Sequence, residues 1–263
     1  MSLAIGQHWP YPFWIAHRGA GHLAPENTMV AFELGARYGY RMFECDVKLS
    51  ADAQAFLLHD QTLTRTTNHA QALGADSDPL AAAHDWTLLS TLDAGSWLGQ
   101  AFAGERLPLL ETLARWCLQH DRMLNIEIKP TPGHGQITGR VVANQAAALW
   151  KDATVPPLLT SFDTQALEAA GQAQPDLPRG LLLSRLPSDW VDTAKNLGCV
   201  AVVLDHVLYT AEVMAQAKNA GLRCLTYTVN EASEVERLQA LGIDGIVTDR
   251  VDLFKPDSAT AQA

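Results

Sequence analysis

The feature that most limits the fold is a strict alternation of short apolar runs with amphipathic stretches. Apolar runs centre near residues 14, 45, 126, 159, 181, 202, 226 and 245. Between them, segments 27–38, 109–119, 137–150, 164–172, 189–197, 211–220 and 231–240 carry helical spacing. In the first helix Met29, Phe32 and Ala36 share one face. Asn230 is placed to cap the last, whose first turn holds Glu231 and Glu234. Such alternation argues for a parallel sheet with helices packed outside it. Eight units predict closure into a (β/α)8 TIM barrel, α/β in class, and 263 residues suit one barrel domain of ~250. An open doubly wound sheet is the alternative. No glycine-rich nucleotide fingerprint follows a strand, which weakens the nucleotide-binding versions of that sheet.

One segment breaks the rhythm. Residues 60–106 separate a second short run, 55–58, from the next helix. Ordinary βα loops span ~2–6 residues, and this stretch, with Trp86 and Trp97, is too apolar for a linker. It reads as a small inserted subdomain folded over one end of the single domain 1–263. The polar, Ala-rich tail 255–263 reads as frayed.

Charge narrows the function. Nineteen Lys and Arg against 29 Asp and Glu give −10, and no stretch is rich in basic residues. Nucleic acid and anionic membrane surfaces are therefore poor partners. No apolar run is long enough for membrane insertion. Cys45, Cys117, Cys199 and Cys224 form no C-x-x-C pair and sit in apolar stretches, so they read as reduced core thiols. With no basic, apolar leader before Arg18, the chain is expected to be cytoplasmic.

Barrel active sites lie at the C-terminal ends of the strands, and here three strand ends are polar. The first ends in His17-Arg18-Gly19. Glu44 and Asp46, two apart on a strand, share a face. Asn125, Glu127 and Lys129 share one face of another strand, and His59 ends the short run after the second strand. Five of these residues are charged, and burying them unpaired would be very costly. They must meet one another, a metal or a charged ligand. A purely structural ion-pair cluster is the bland alternative, and it leaves both histidines unexplained.

The motifs then become specific. His17-Arg18-Gly19, Pro25-Glu26-Asn27-Thr28, Glu44-Cys45-Asp46-Val47, His59-Asp60 and Arg65-Thr66-Thr67-Asn68 resemble the opening signature of the glycerophosphodiester phosphodiesterase family. Leu107-Pro108-Leu109-Leu110-Glu111, Asn125-Ile126-Glu127-Ile128-Lys129, Thr228-Val229-Asn230 and Gly242 to Asp249 continue the resemblance in order. It implies a TIM barrel with an inserted subdomain. It also implies one divalent cation on Glu44, Asp46 and Glu127, an acid–base pair His17 and His59, and phosphate-binding cations Arg18 and Lys129. Three carboxylates are hard oxygen ligands suited to Mg²⁺ or Ca²⁺. The implied reaction is hydrolysis of a small-molecule glycerophosphodiester to sn-glycerol 3-phosphate and an alcohol, with the glycerol 2-hydroxyl expected as nucleophile rather than water. A phospholipase D-like barrel enzyme forming cyclic phosphates and a non-catalytic phosphodiester-binding barrel are the alternatives.

Tyr227 stands where the family usually has Trp, and is a substrate-contact candidate. Asn27 and Thr28 read as capping or loop-tying residues, and Gly19 as the turn that lets His17 and Arg18 face the site. Asp60 and Arg65 are expected to brace the insertion, and Asp244 and Asp249 to close the last turn.

Overall fold

The structure, a computed structural model, describes residues 9–256. The tail expected to fray therefore lies, from residue 257 on, outside the described residues. Strand β1 (Trp14–Ala16) leads into α1 (Met29–Arg37), β2 (Met42–Leu49) and the short β3 (Ala55–Leu57). Helices α2 (His69–Leu73) and α3 (Trp86–Leu89) follow within the inserted segment. Then come α4 (Leu110–Gln119), β4 (Met123–Ile128), α5 (Gly135–Leu149), β5 (Leu158–Ser161) and α6 (Thr164–Ala173). The chain continues through β6 (Arg179–Leu183), α7 (Trp190–Asn196), β7 (Ala201–Asp205) and α8 (Ala211–Asn219). It ends in β8 (Arg223–Tyr227), α9 (Ala232–Leu241) and β9 (Gly245–Thr248).

Strand β1 pairs in parallel with both β2 and β9, so the sheet closes on itself. Every other neighbouring pair is parallel except β2–β3. The result is the eight-stranded TIM barrel with its helices outside. Alternation along each strand sends one set of side chains inward. Ile15, Met42, Leu158, Leu182, Ala201, Val203, Leu225 and Val247 fill the barrel interior. The opposite faces of the strands pack against the helices in two larger clusters.

Two expectations shift. Helix α1 starts two residues later than its pattern suggested, and its buried face is Ala31, Phe32 and Gly35. Met29 and Ala36 flank that face and are only half-buried. Asn230 does not cap α9: Glu231 holds the cap position without a side-chain bond. The Asn230 amide instead donates to Asp249 Oδ2 and accepts from the Asp249 amide, tying β9 to the loop after β8. The four cysteines are free and buried. Among the described residues no helix is long and apolar enough to cross a membrane.

Strand β3 runs antiparallel to the end of β2, with Leu57 opposite Val47, and the Leu58 amide donates to the Asp46 carbonyl. This hairpin turns His59 back over the barrel mouth. The chain beyond it has its own small core of Phe56, Leu63, Leu89, Leu92 and Leu107. Asp93 ties the subdomain's far loop by accepting from the amides of Gly95, Ser96 and Gly104.

Candidate active site

Register assembles the carboxylates. Parallel pairing sets Glu44 beside Asn125 and Asp46 beside Glu127, all on the inward face. One oxygen from each of Glu44, Asp46 and Glu127 lies within 4.8 Å of the other two. All three sit at 9% exposure or less, where like charges are mutually expensive. Burial, with Asp46 and Glu127 nearby, raises the Glu44 carboxyl well above the usual carboxylate range. Burial and Asp46 push Glu127 up to about 7. Asp46 goes the other way: burial would raise it, but Arg18, Lys129, His59 and the Asn27 amide together hold it ionised.

The two expected cations land on these acids. Lys129 Nζ donates to Asp46 Oδ1 at 3.2 Å and to Glu127 Oε1 at 3.0 Å. Arg18 Nε lies 3.1 Å from Asp46 Oδ2 without aligning for a hydrogen bond, while its Nη1 donates to Glu26 at 2.9 Å. Burial would lower both cations, yet the surrounding carboxylates outweigh it and hold them above their ordinary values. Arg18 has φ 50, a conformation uncommon outside glycine, and its own amide donates to Glu44 Oε2 at 3.1 Å. Gly19, at φ 103, completes the turn; a Cβ there would come within 2.7 Å of Ala31. This is the turn through which His17 and Arg18 face the site.

Each histidine is tied to an aspartate. His17 Nδ1 is 2.6 Å from Asp249 Oδ1, and His59 Nδ1 is 2.7 Å from Asp60 Oδ1. In each ring Nε2 remains to face the cavity, that of His17 lying 3.9 Å from Glu44 Oε2. Burial is the largest influence on His59 and lowers its proton affinity, favouring the neutral ring near pH 7. The His17 bond holds Asp249 ionised against burial, down to about 2.

Sequence reasoning undervalued four residues here. Asp249 holds His17 as well as tying the last turn. Its signal was positional, because barrel closure makes the end of β9 the neighbour of β1. Asp60 holds His59 besides binding Arg65. Asn27 caps nothing; at φ 58 its side-chain Nδ2 donates to Asp46 Oδ2 while its Oδ1 accepts from the Asp46 backbone N–H. Glu26 accepts from both Arg18 and Arg65. Thr28 ties the loop through Pro25, as expected. Asp244 lies at the opposite end of the barrel, on Arg223 and the Cys224 amide, rather than at the turn after β9.

His17, Arg18, Glu44, His59, Glu127, Lys129 and Tyr227 line one cavity of about 260 Å³ at the barrel mouth, with Asp46 buried behind Arg18 and Lys129. The donor set fits a hard divalent cation. It offers three carboxylates, and Glu44 Oε1 is buried with no hydrogen-bond partner. Three acids against two bases leave −1; a divalent cation makes +1, which a monoanionic phosphodiester neutralises.

A charge balance of that kind, with two histidines lining the same cavity, suits chemistry on a phosphate ester. The barrel is thus of the phosphodiesterase class. The chain belongs to the glycerophosphoryl diester phosphodiesterase family, whose sequence profile matches residues 17–253. It is 32% identical over 260 residues to the Bacillus subtilis protein YhdW, covering 92% of this chain and 96% of that one. A glycerophosphodiester phosphodiesterase of Caldanaerobacter subterraneus is 30% identical over 240 residues, covering 89% of this chain and 93% of its own. An Oleispira antarctica phosphodiesterase, solved with its product sn-glycerol-3-phosphate, superposes with a TM-score of 0.81. It is 32% identical, over 90% of this chain and 93% of that one.

Proposed function

We propose that this enzyme hydrolyses glycerophosphodiesters to sn-glycerol 3-phosphate and an alcohol. Arg18 and Lys129 bind the phosphate, His17 and His59 move the protons, and Glu44, Asp46 and Glu127 hold one Mg²⁺ or Ca²⁺. The observation that carries this reading is the pair of histidines, each fixed through Nδ1 by an aspartate, beside a convergent carboxylate cluster. An ion on that cluster supplies Lewis-acid polarisation of a phosphoryl oxygen. The chain's own residues do the rest. Arg18 and Lys129, kept charged by their carboxylate neighbours, stabilise negative charge on the phosphoryl oxygens. With Nδ1 engaged, each imidazole works through Nε2.

The glycerol 2-hydroxyl is the nucleophile in this scheme. One histidine takes its proton as its oxygen bonds to phosphorus in a five-membered ring. The other histidine protonates the alcohol oxygen as that P–O bond breaks. Water then opens the cyclic phosphate with the histidine roles reversed. Intramolecular attack of this kind has effective molarities up to ~10⁵–10⁸ M. What supports it is a single carboxylate cluster among the described residues, suited to one ion and not to a water-activating pair. We place the reaction in the cytoplasm, a reading supported by four buried, unpaired thiols.

The test is release of glycerol 3-phosphate from glycerophosphocholine, lost with EDTA and restored by Mg²⁺ or Ca²⁺. Full activity after exhaustive chelation overturns the metal assignment; no release under any condition favours a non-catalytic barrel. For the nucleophile, 3-hydroxypropyl phosphocholine, which lacks only the 2-hydroxyl, should turn over at least ~10³-fold more slowly. Turnover within tenfold of the parent leaves water as the nucleophile.

A further inference from the structure

A second cavity, of about 380 Å³, meets the first at His17 and Arg18. Its other walls come from the loop after β1 (Gly21, His22, Ala24, Glu26), from Asp249, and from Arg65, Trp97 and Leu98 of the inserted subdomain. His17 and Arg18 thus stand at a waist between two lobes. A phosphodiester has two arms, and the lobes differ in the way that would sort them. The first lobe carries Asn125, Thr160 and the acidic cluster beside an apolar wall, and its polar groups suit the adjacent hydroxyls of glycerol. The second carries an indole and a leucine.

The indole is held in place. Trp97 Nε1 donates to the Ala94 carbonyl at 2.9 Å, yet the residue stays 38% exposed. Surrounding charge does not oppose a cation. Glu26 and Asp249 line the lobe, and both are kept ionised although burial opposes it. In the lining, these two acids are matched by the guanidiniums of Arg18 and Arg65, and His22 Nε2 lies 3.5 Å from Asp249 Oδ2. Arg65 Nε, Nη1 and Nη2 are all committed, donating to Asp60 and Glu26 at 2.7 to 2.9 Å. An exposed aromatic face with an apolar neighbour, in a wall whose acids offset its guanidiniums, is the chemistry that receives an ammonium group.

Building on the phosphodiesterase reading above, we propose that this second lobe is the leaving-alcohol subsite. Trp97 is its specificity residue, favouring alcohols that bear a quaternary or protonated ammonium. The inserted subdomain thereby selects the alcohol while the barrel reads the glycerol.

The experiment compares kcat/KM for glycerophosphocholine with that for methyl glycerophosphate, in the wild type and in Trp97→Ala and Trp97→Phe. The choline-to-methyl ratio should fall about tenfold in Trp97→Ala, the scale of a partly desolvated cation–π contact. It should recover to within about threefold of wild type in Trp97→Phe, which keeps a ring. A ratio that moves less than twofold in Trp97→Ala, while the wild type turns over both substrates, overturns the subsite and leaves the hydrolytic reading standing. A ratio equally reduced in both variants overturns the aromatic role. A wild type that releases glycerol 3-phosphate from neither substrate overturns both readings.

Discussion

The two sides of the barrel mouth are built from the same repeated unit and solve opposite problems. On the side of β1, β2 and β4, inward positions near the strand ends hold His17, Glu44, Asp46 and Glu127. On the side of β6, β7 and β8, corresponding positions hold Leu182, Val203 and Tyr227. The apolar side gains stability from burial, about 25 cal/mol per Å² of apolar surface. The polar side opposes folding, because Glu44 and Glu127 are buried among like charges and resist ionisation. The difference teaches that the closed sheet does not need its active site. Half the barrel and the surrounding helix layers stabilise a constellation that would not hold itself together.

That division is easiest to break with paired substitutions. His17→Ala and His59→Ala should each lower kcat by at least ~10²-fold, the scale of acid–base catalysis. Both rings are partly exposed, so thermal stability should change little. Leu182→Ala on the opposite wall should destabilise by about 2–5 kcal/mol, as buried Leu-to-Ala changes do, with kcat reduced less than about threefold. Steady-state kinetics with a thermal melt of each variant reads both axes. A Leu182 variant that loses as much kcat as a histidine variant would show that the two sides are not separable.

A second measurement sharpens the cost on the polar side. Glu127 sits at about 7 against an ordinary 4.5, raised first by burial and then by Asp46. In the metal-free protein the folded state therefore holds a proton that the unfolded chain has lost between those values. That contribution to stability is complete at low pH and is lost as pH rises through about 7. A cation held by Glu127 would compete with the same proton. Apparent Mg²⁺ affinity should weaken as pH falls from 8 to 6, approaching tenfold per unit for each proton displaced from Glu127 and Glu44. The Tm gained on adding metal should be larger at pH 8 than at pH 6. Calorimetric titration at the two pH values checks the first statement and melting curves check the second. A pH-independent affinity would mean that Glu127 is not a ligand.

The two sides were also unequally legible in the sequence. Strand periodicity and apolar content marked all eight barrel strands, because a parallel strand buried on both faces reads as a short apolar run. The carboxylates stood out for the complementary reason, as charges inside such runs. What the sequence hid was contact made by closure. Asp249 is 232 residues from His17 along the chain, yet it is hydrogen-bonded to it. Asn27 looked like a helix cap because asparagine before a helix usually is one, but its positive φ turns the amide toward Asp46. Asn230 was drawn from its helix in the same way, by the partner it found on β9. In each case a long-range acid outcompeted the local backbone for the side chain. The helices within segment 60–106 were not legible, because they carry too few turns to set a period.

The smallest expected effect concerns Tyr227, a polar residue on the apolar side of the mouth. Its hydroxyl donates to the Leu183 carbonyl at 3.2 Å, and its ring meets Phe162 edge to face, centroids 5.7 Å apart. Burial raises the phenol above its ordinary value, so it stays neutral and serves as a donor. The hydroxyl is thus occupied by the barrel wall, and what the cavity receives from Tyr227 is a ring of fixed orientation. Removing the hydroxyl alone costs one ordinary hydrogen bond, about 0.5–1.5 kcal/mol of stability. Tyr227→Phe should therefore alter kcat/KM for glycerophosphodiesters by less than about threefold, a small fraction of the histidine effects. Tyr227→Ala removes the ring that walls the first cavity and should raise KM more than it lowers kcat. If Tyr227→Phe instead lowers kcat by tenfold or more, the hydroxyl must leave Leu183 during turnover. The apolar side would then carry chemistry of its own.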